Sequence, residues 1–325
     1  MNASDIAVAL LLYNRPQHTM RVLESLVQNG VTTCHAFLDK AETRTDRAKQ
    51  ALIRAVLSNC PGMRVHLREA PVHLGLARSV RNAMDTLTRS HQGVVLLEDD
   101  CLLRPGAVRY FHDALVHFRD DRRVRSICGY MFPGLELNWE DNPDLLLLRR
   151  FFPWGWATWS DRWQDYRPDL RQALGRLNSR PGAAEMLGDD MRRLCLDQGY
   201  LSGRRDIWSL SWIVEHYATD TFAVYPRETL VDNIGCDGSG KHCLATDSFD
   251  HTGHVNAYSP WRFERLVHRP ENEAGVQAFL DQTSLLTYPP TEAAGSEAPI
   301  PERPEAMAPD KTGGYAPSGL GYDFG

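Results

Sequence analysis

At 325 residues, 42% of them hydrophobic, the chain is long enough for one large α/β domain or two ordinary ones, with a core able to fold unaided. Its formal net charge of -6 excludes a global basic field that would draw in nucleic acid or an anionic membrane, so an anionic ligand has to be held locally. The seven cysteines are odd in number and scattered without a C-x-x-C pair, which points to reduced thiols; Cys236, His242 and Cys243 lack the fourth ligand and the spacing of a zinc site.

The opening MNASDIAVALLL carries no basic leader, and its apolar run from Ile6 to Leu12 is far shorter than the roughly 20 residues needed to span a bilayer. The expectation is a cytoplasmic chain with no membrane span. IAVALLL reads as a buried strand, broken at Asn14-Arg15-Pro16 before a helix carrying Met20, Leu23, Leu26 and Val27 and ending at Gly30. CHAFLD (34–39) is a second strand, followed by a helix with Ala48, Ala51, Leu52, Ala55 and Val56 on one face and a stop at Pro61-Gly62. MRVHLRE is a third strand, LARSVRNAMDTLTR a third helix and GVVLL a fourth strand. Pro105 suits the first turn of a helix continued by RYFHDALVHF; VRSICGY and LLLLRRFF are further strand candidates.

Strand and helix in alternation predict a mostly parallel sheet covered on both faces by helices, with ligands beyond the carboxyl ends of the strands. Asn14-Arg15, Asp39 and the acidic triplet Glu98-Asp99-Asp100 all fall at such ends. From about residue 153 the texture becomes tryptophan-rich and is expected to be mostly helical. Trp156, Trp159 and Trp163, spaced three and four apart, are expected to share a helical face used for packing. From Pro289 the chain is rich in Pro, Gly, Ala and Glu, which predicts a disordered tail over 289–325.

Three adjacent carboxylates at the end of a buried strand are uncomfortable: two unit charges about 4 Å apart repel by roughly 4 kcal/mol at an effective dielectric of 20. A divalent cation removes the problem, and Mg2+ or Mn2+ is typically held by one or two carboxylates plus water and substrate phosphates. If the extended conformation persists, Glu98 and Asp100 share one side and Asp99 the other.

YNRP (13–16), LDK (38–40), HLGLARSVRNAM (73–84), VVLLEDDCLLRPG and VRSICGYMFP (124–133) resemble, in order and spacing, the inverting GT-A glycosyltransferases. The nearest likeness is to the bacterial glycosyltransferase family 2-like branch that is similar to N-acetylglucosaminyltransferase I; WGWATWSDRW and DNIGCDGSGKHC look like its later segments. The resemblance covers roughly residues 6–245. It implies a GT-A, Rossmann-like sheet with a helical, tryptophan-rich acceptor half: a catalytic unit over 1–288, with 1–133 the nucleotide-sugar half and 134–288 the acceptor half. It further implies a divalent metal (Mn2+ or Mg2+) on the diphosphate of a nucleotide-sugar donor. Asp100 would be the metal ligand, joined by His242, with Asp99 facing ribose and sugar and Glu98 behind them. Tyr13, Asn14 and Arg15 would line the nucleotide pocket, Asp39 would face base and ribose, and Arg78, Arg81 and Asn82 would flank the donor. His73 departs from the asparagine usual at its position.

Inverting transfer needs a general base for the acceptor hydroxyl. The family takes it from a W-D-x-x-W-like segment, matched here by IWSLSW (207–212) with Ser209 at the Asp position. Serine cannot act as that base unaided, which leaves Asp206 and Glu215 as candidates, Asp206 favoured by its place near the predicted helix start. Trp154, beside Gly155, is the candidate to stack on an acceptor sugar. A loop between Gly238 and Gly240 could close over the donor, with Lys241 near phosphate or facing solvent. The implied activity is metal-dependent, inverting transfer of N-acetylglucosamine or a related hexose from a UDP-sugar to a hydroxyl of a glycan, lipid-linked or protein acceptor. A catalytically degraded sugar-nucleotide-binding protein is the alternative. A metal-dependent phosphohydrolase would need a second metal-ligand cluster that the sequence does not offer.

Overall fold

Three strand–helix units and a fourth strand build the first half of the sheet, with the continuous apolar runs at its centre. The computed structural model describes residues 5–166, 169–201, 207–238, 246–251 and 261–287. Asp206, Lys241, His242, Cys243 and the tail expected over 289–325 lie outside the described residues. In chain order the elements are β1 (Ile6–Leu12), α1 (Pro16–Gln28), β2 (Thr33–Leu38), α2 (Arg44–Ser58), β3 (Arg64–Glu69), α3 (Gly75–Leu87) and β4 (Gly93–Glu98). Then come β5 (Cys101–Leu103), α4 (Ala107–His117), β6 (Val124–Cys128), β7 (Leu145–Leu148), β8 (Trp156–Trp159) and α5 (Ser160–Gln164). The chain continues through α6 (Leu170–Ser179), α7 (Asp189–Leu196), α8 (Gln198–Leu201), α9 (Trp208–Ala218), β9 (Phe222–Pro226), β10 (Val231–Asn233) and α10 (Pro270–Thr287).

The main sheet has eight strands in the order β3-β2-β1-β4-β8-β6-β9-β7. Pairings β3-β2, β2-β1, β1-β4 and β6-β9 are parallel, whereas β8 runs antiparallel to both β4 and β6, and β7 antiparallel to β9. The protein is therefore α/β with a mixed, mostly parallel sheet flanked by helices. β1 and β4 are buried almost throughout, as central parallel strands must be, while β3 is an edge with most of its residues exposed.

The expected helical face of tryptophans is not formed. Trp156 and Trp159 belong to β8, and only Trp163 is helical, on α5. The open edges of β4 and β6 accept WATW as a bridging strand, and in a strand residues three apart point to opposite faces. Accordingly Trp156 packs with Phe151, Trp163, Trp208 and Trp212, while the Trp159 indole N–H donates to the Leu115 carbonyl on α4 at 2.9 Å. A smaller correction applies at α4, where Pro105 stands ahead of the helix and Gly106, at φ 87°, is its N-cap.

The second half adds helices behind the sheet. On α9 every residue from Trp208 to Tyr217 is buried, against α6 and the aromatic side chains of β8. α10 docks at its start through Glu273, which accepts hydrogen bonds from the Arg149 and Arg150 amides at 2.8 and 2.9 Å, from the Tyr217 hydroxyl and from His268. Arg150 and Asp190, both buried, pair at 2.6 Å beside it. Cys34, Cys60, Cys101, Cys128, Cys195 and Cys236 form no disulfide. Among the described residues no helix is long and apolar enough to cross a membrane.

Candidate functional site at the carboxyl edge of the sheet

β1 and β4 pair in the register Leu11 with Glu98, so the two chains leave the sheet side by side. Register alone thus brings Tyr13-Asn14-Arg15 against Glu98-Asp99-Asp100. β4 stops at Glu98 and the next two residues turn, so the strict alternation expected for the triplet ends there. Arg15 occupies the N-cap position of α1 without capping it by its side chain, which reaches across instead. Its Nη2 lies 3.3 Å from Asp99 Oδ1 and its Nη1 3.0 Å from Asp100 Oδ2.

Asp99 and Asp100 are both buried. Burial, then the charges of Asp100 and Asp99, pushes the Glu98 carboxyl up from its ordinary value, although the Trp208 indole donates a hydrogen bond to it. Burial likewise raises Asp99 against the opposing pull of Arg15 and the Tyr13 amide. Desolvation works against the Arg15 charge, yet the three carboxylates together hold its guanidinium more firmly protonated than usual. The cluster is three acids around one half-buried cation.

A turn from the second half covers it. β10 pairs antiparallel with β5, placing Asn233 opposite Cys101, and the Ile234 amide donates to the Asp100 carbonyl at 2.9 Å. The next residue, Gly235, sits so close that a Cβ there would lie 2.2 Å from Asp100 Oδ2 and 2.7 Å from Arg15 Nη1. His18 on α1 pins the turn, its Nε2 being 3.1 Å from the Ile234 carbonyl and 3.3 Å from Asp237 Oδ2. Arg104 holds Asp232 through two hydrogen bonds of 2.8 and 2.7 Å.

The neighbouring wall is built on Asp39 and Asp46. Asp39 accepts from the amides of Lys40, Leu74 and Gly75 at 2.8, 2.7 and 2.9 Å and pairs with His73 Nδ1 at 2.8 Å. Its carboxylate therefore fixes the start of α3. His73 also reaches Glu42 at 3.2 Å and tilts against the Tyr13 ring. Asp46 accepts from Asn14 Nδ2 at 2.7 Å and from the Tyr13 hydroxyl at 3.2 Å, and it closes a capping box with Thr43. Hydrogen bonds from Asn14 and Thr43 hold the Asp46 carboxyl well below the usual carboxylate range. Gln50 donates to the carbonyls of Tyr13 and Asp39, tying the two strand ends together.

The remaining sequence candidates are placed as follows. On α3, Arg78 is exposed and donates to the Leu74 carbonyl at 2.6 Å, Arg81 is half-buried and Asn82 exposed. Trp154 precedes β8 and so enters at the same edge; it is held edge-on by Tyr130, Phe152 and Phe249, with centroids 4.9, 4.8 and 5.2 Å away. Glu215 is buried in an ion pair with Arg176, roughly 10 Å along α9 from Trp208. Ser209 is buried. Among the described residues no group of three or more His, Cys, Asp or Glu side chains stands ready to hold a metal ion. Sequence reading missed His18, Asp46, Gln50 and Gly235; of these only Asp46 left a signal, the T-x-x-D spacing from Thr43.

No protein-family model and no curated protein matches the chain. Solved structures do. A mannosyltransferase from Pyrobaculum calidifontis in complex with GDP-Man and Mn2+ aligns at 14% identity and TM-score 0.33 over 53% of this chain and 46% of its own. TarS 1-349 from S. aureus aligns at 11% identity and TM-score 0.34 over 50% and 48%. UDP-glucose pyrophosphorylase complexed with UDP-glucose aligns at 7% identity and TM-score 0.36 over 69% and 90%. The chain thus spans about half the length of the first two.

Proposed function

We propose that the protein is a nucleotide-sugar-dependent glycosyltransferase whose donor lies over the carboxyl ends of β1, β2 and β4. The observation that carries this reading is the Arg15 guanidinium set between Asp99 and Asp100 where two adjacent parallel strands end. Carboxylates and a planar fork of donors, side by side at a sheet's carboxyl edge, suit a diphosphate and its counter-cation.

The residues present fit a divalent ion. The donors Asp99 and Asp100 supply are carboxylate oxygens, and Arg15 Nη1 beside them is buried without a well-aligned hydrogen bond. Asp100, with Asp99 beside it, would hold Mg2+ or Mn2+, and His242 would join them. Such an ion would supply neutralisation of the charge that develops on a leaving diphosphate. Arg15 would bind diphosphate oxygens, Tyr13 and Asn14, fixed by Asp46, would shape the nucleotide wall, and Asp39 would set the start of α3, from which Arg78, Arg81 and Asn82 flank the donor. Trp154 would offer an apolar edge to an acceptor sugar. The transfer is inverting, with Asp206 as the base for the acceptor hydroxyl; Glu215 would have to leave Arg176 to serve. The donor is a UDP-sugar carrying N-acetylglucosamine or a related hexose.

A second reading, a sugar-nucleotide-binding protein that transfers nothing, is favoured by one pair of observations: Ser209 is buried where the resemblance places the base, and Glu215 is committed to Arg176. UDP release from a panel of UDP-sugars, with Mn2+ present or chelated, separates the two. Metal-dependent release from one donor, abolished in Asp100→Ala, is expected of the transferase. Binding of UDP with metal but no release from any donor, with a range of acceptors supplied, supports the second reading. Absence of binding refutes both.

A further inference from the structure

Glu98, Asp99 and Asp100 share a single guanidinium, and it bridges the two carboxylates that would hold a metal. Arg15 Nη1 lies 3.0 Å from Asp100 Oδ2, and a Cβ on Gly235 would stand 2.2 Å from that oxygen and 2.7 Å from Nη1, so the guanidinium and the turn crowd the same flank of the carboxylate. The other carboxylate oxygen, Oδ1, faces Cys101 Sγ at 3.8 Å, inside the buried wall. A cation bonded to Oδ2 at about 2.1 Å cannot share that flank with the guanidinium. Arg15 is held there by charge more than by directional bonding, because its Nη1 is near Asp100 without good alignment.

We infer that Arg15 is a resident counter-cation: it occupies the Asp99–Asp100 pair while no nucleotide is bound and passes to the diphosphate when a divalent cation takes its place. The inference rests on the nucleotide-diphosphate reading above. An incoming diphosphate gives the guanidinium fork a partner of matching geometry, and its departure opens Asp100 Oδ2. Metal alone must then compete with Arg15, whereas metal and nucleotide assist each other's binding. Arg15 is in this account a positioning residue for the cation as well as a ligand of the phosphates.

The test is a titration of the full chain with Mn2+, followed by the electron paramagnetic resonance of free Mn2+, alone and with UDP, together with UDP affinity measured calorimetrically at saturating Mn2+. Arg15→Gln removes the charge and keeps polarity; it is expected to bind Mn2+ alone at least tenfold more tightly than wild type and UDP at least tenfold more weakly. Arg15→Lys keeps the charge and should bind Mn2+ alone within threefold of wild type. Opposite signs for the two ligands are the signature, since an arginine that merely supports the fold would weaken both. If circular dichroism shows Arg15→Gln unfolded, Arg15→Met, which retains the aliphatic stem, is read in its place. Mn2+ affinity that is unchanged or weaker in the neutral variant, or Mn2+ bound by neither protein, overturns the hand-over alone. Mn2+ bound more tightly by the variant, but UDP bound by neither protein, overturns the nucleotide reading.

Discussion

Gly235→Ala isolates the contact between the two halves of the site. Gly235 is not among the residues with positive φ, so alanine brings no backbone strain and its effect is steric. The added Cβ would stand 2.2 Å from Asp100 Oδ2 and 2.9 Å from Asp100 Cγ. A normal contact needs about 1 Å more, so either the turn or the carboxylate has to move by that amount. If the turn retreats, the 2.9 Å bond from the Ile234 amide to the Asp100 carbonyl is stretched past hydrogen-bond range, and the His18 tether to Ile234 goes with it. If the carboxylate retreats, Asp100 loses its seat against Arg15. Overpacking of this kind costs about 1–3 kcal/mol of stability, read by urea unfolding. A 1 Å error in a charge-bearing ligand is expected to cost about a hundredfold in donor turnover. Unfolding free energy within about 0.5 kcal/mol of wild type, together with unchanged Mn2+-dependent UDP release, would refute the geometry argued for Gly235 and with it the idea that this turn completes the site.

Gly175, by contrast, lies inside α6 with nothing within 4 Å of where a Cβ would stand; Gly175→Ala should stabilise by roughly 0.5–1 kcal/mol, and a loss of stability in urea would contradict the open space assigned to it. His18→Ala should speed amide exchange at Gly235 and weaken UDP binding several-fold with little change in global unfolding, whereas unchanged exchange there would remove the tether. Glu273→Ala strands the Arg149 and Arg150 amides and the Tyr217 hydroxyl, for an expected loss of about 2–4 kcal/mol; a loss under about 1 kcal/mol would show that α10 is held by other contacts. Burial, then the neighbouring charges of His91, His66 and Arg68, lowers the His35 pKa to about 4. The folded protein therefore binds fewer protons than the unfolded chain between about pH 6.5 and 4, so this group's stabilisation is complete above 6.5 and lost as pH falls toward 4. Because the ring is only half-buried, solvent screening reduces the effect to roughly 1 kcal/mol. Melting curves of wild type and His35→Asn at pH 7.5 and 5 should converge as pH falls, and parallel curves would count against the assignment.

The legible part of the site was the part written in local pattern. Parallel strands buried on both faces read as unbroken apolar runs, so β1, β2 and β4 and the charged residues at their ends could be marked from residue types alone. Which of those residues touch was not legible, because it depends on register: Arg15 meets Asp99 and Asp100 only because Leu11 pairs with Glu98. Asp39 was marked as a strand-end acid, but its donors at Leu74 and Gly75 come from the start of α3, beyond the whole of α2 and β3.

β8 shows why the second half resisted. The spacing of Trp156, Trp159 and Trp163, three and four apart, matches a helix, and only the unpaired edges of β4 and β6 make WATW a strand instead. The decision has a consequence for the site. An antiparallel strand between β4 and β6 enters the sheet where β4 leaves it: Trp156 is opposite Leu96, and Gly155 packs within 3.3 Å of Leu97, measured from a Cβ built on it. Trp154 is thereby delivered to the edge that bears Glu98, and the same stretch meets Val231 ahead of the turn that carries Gly235. Had WATW been helical, Trp154 would have no reason to stand at the carboxyl edge at all. One reversed strand therefore does what no run of parallel units could: it returns the chain to the acid cluster from the second half, so that residues more than 50 positions apart in sequence form one wall.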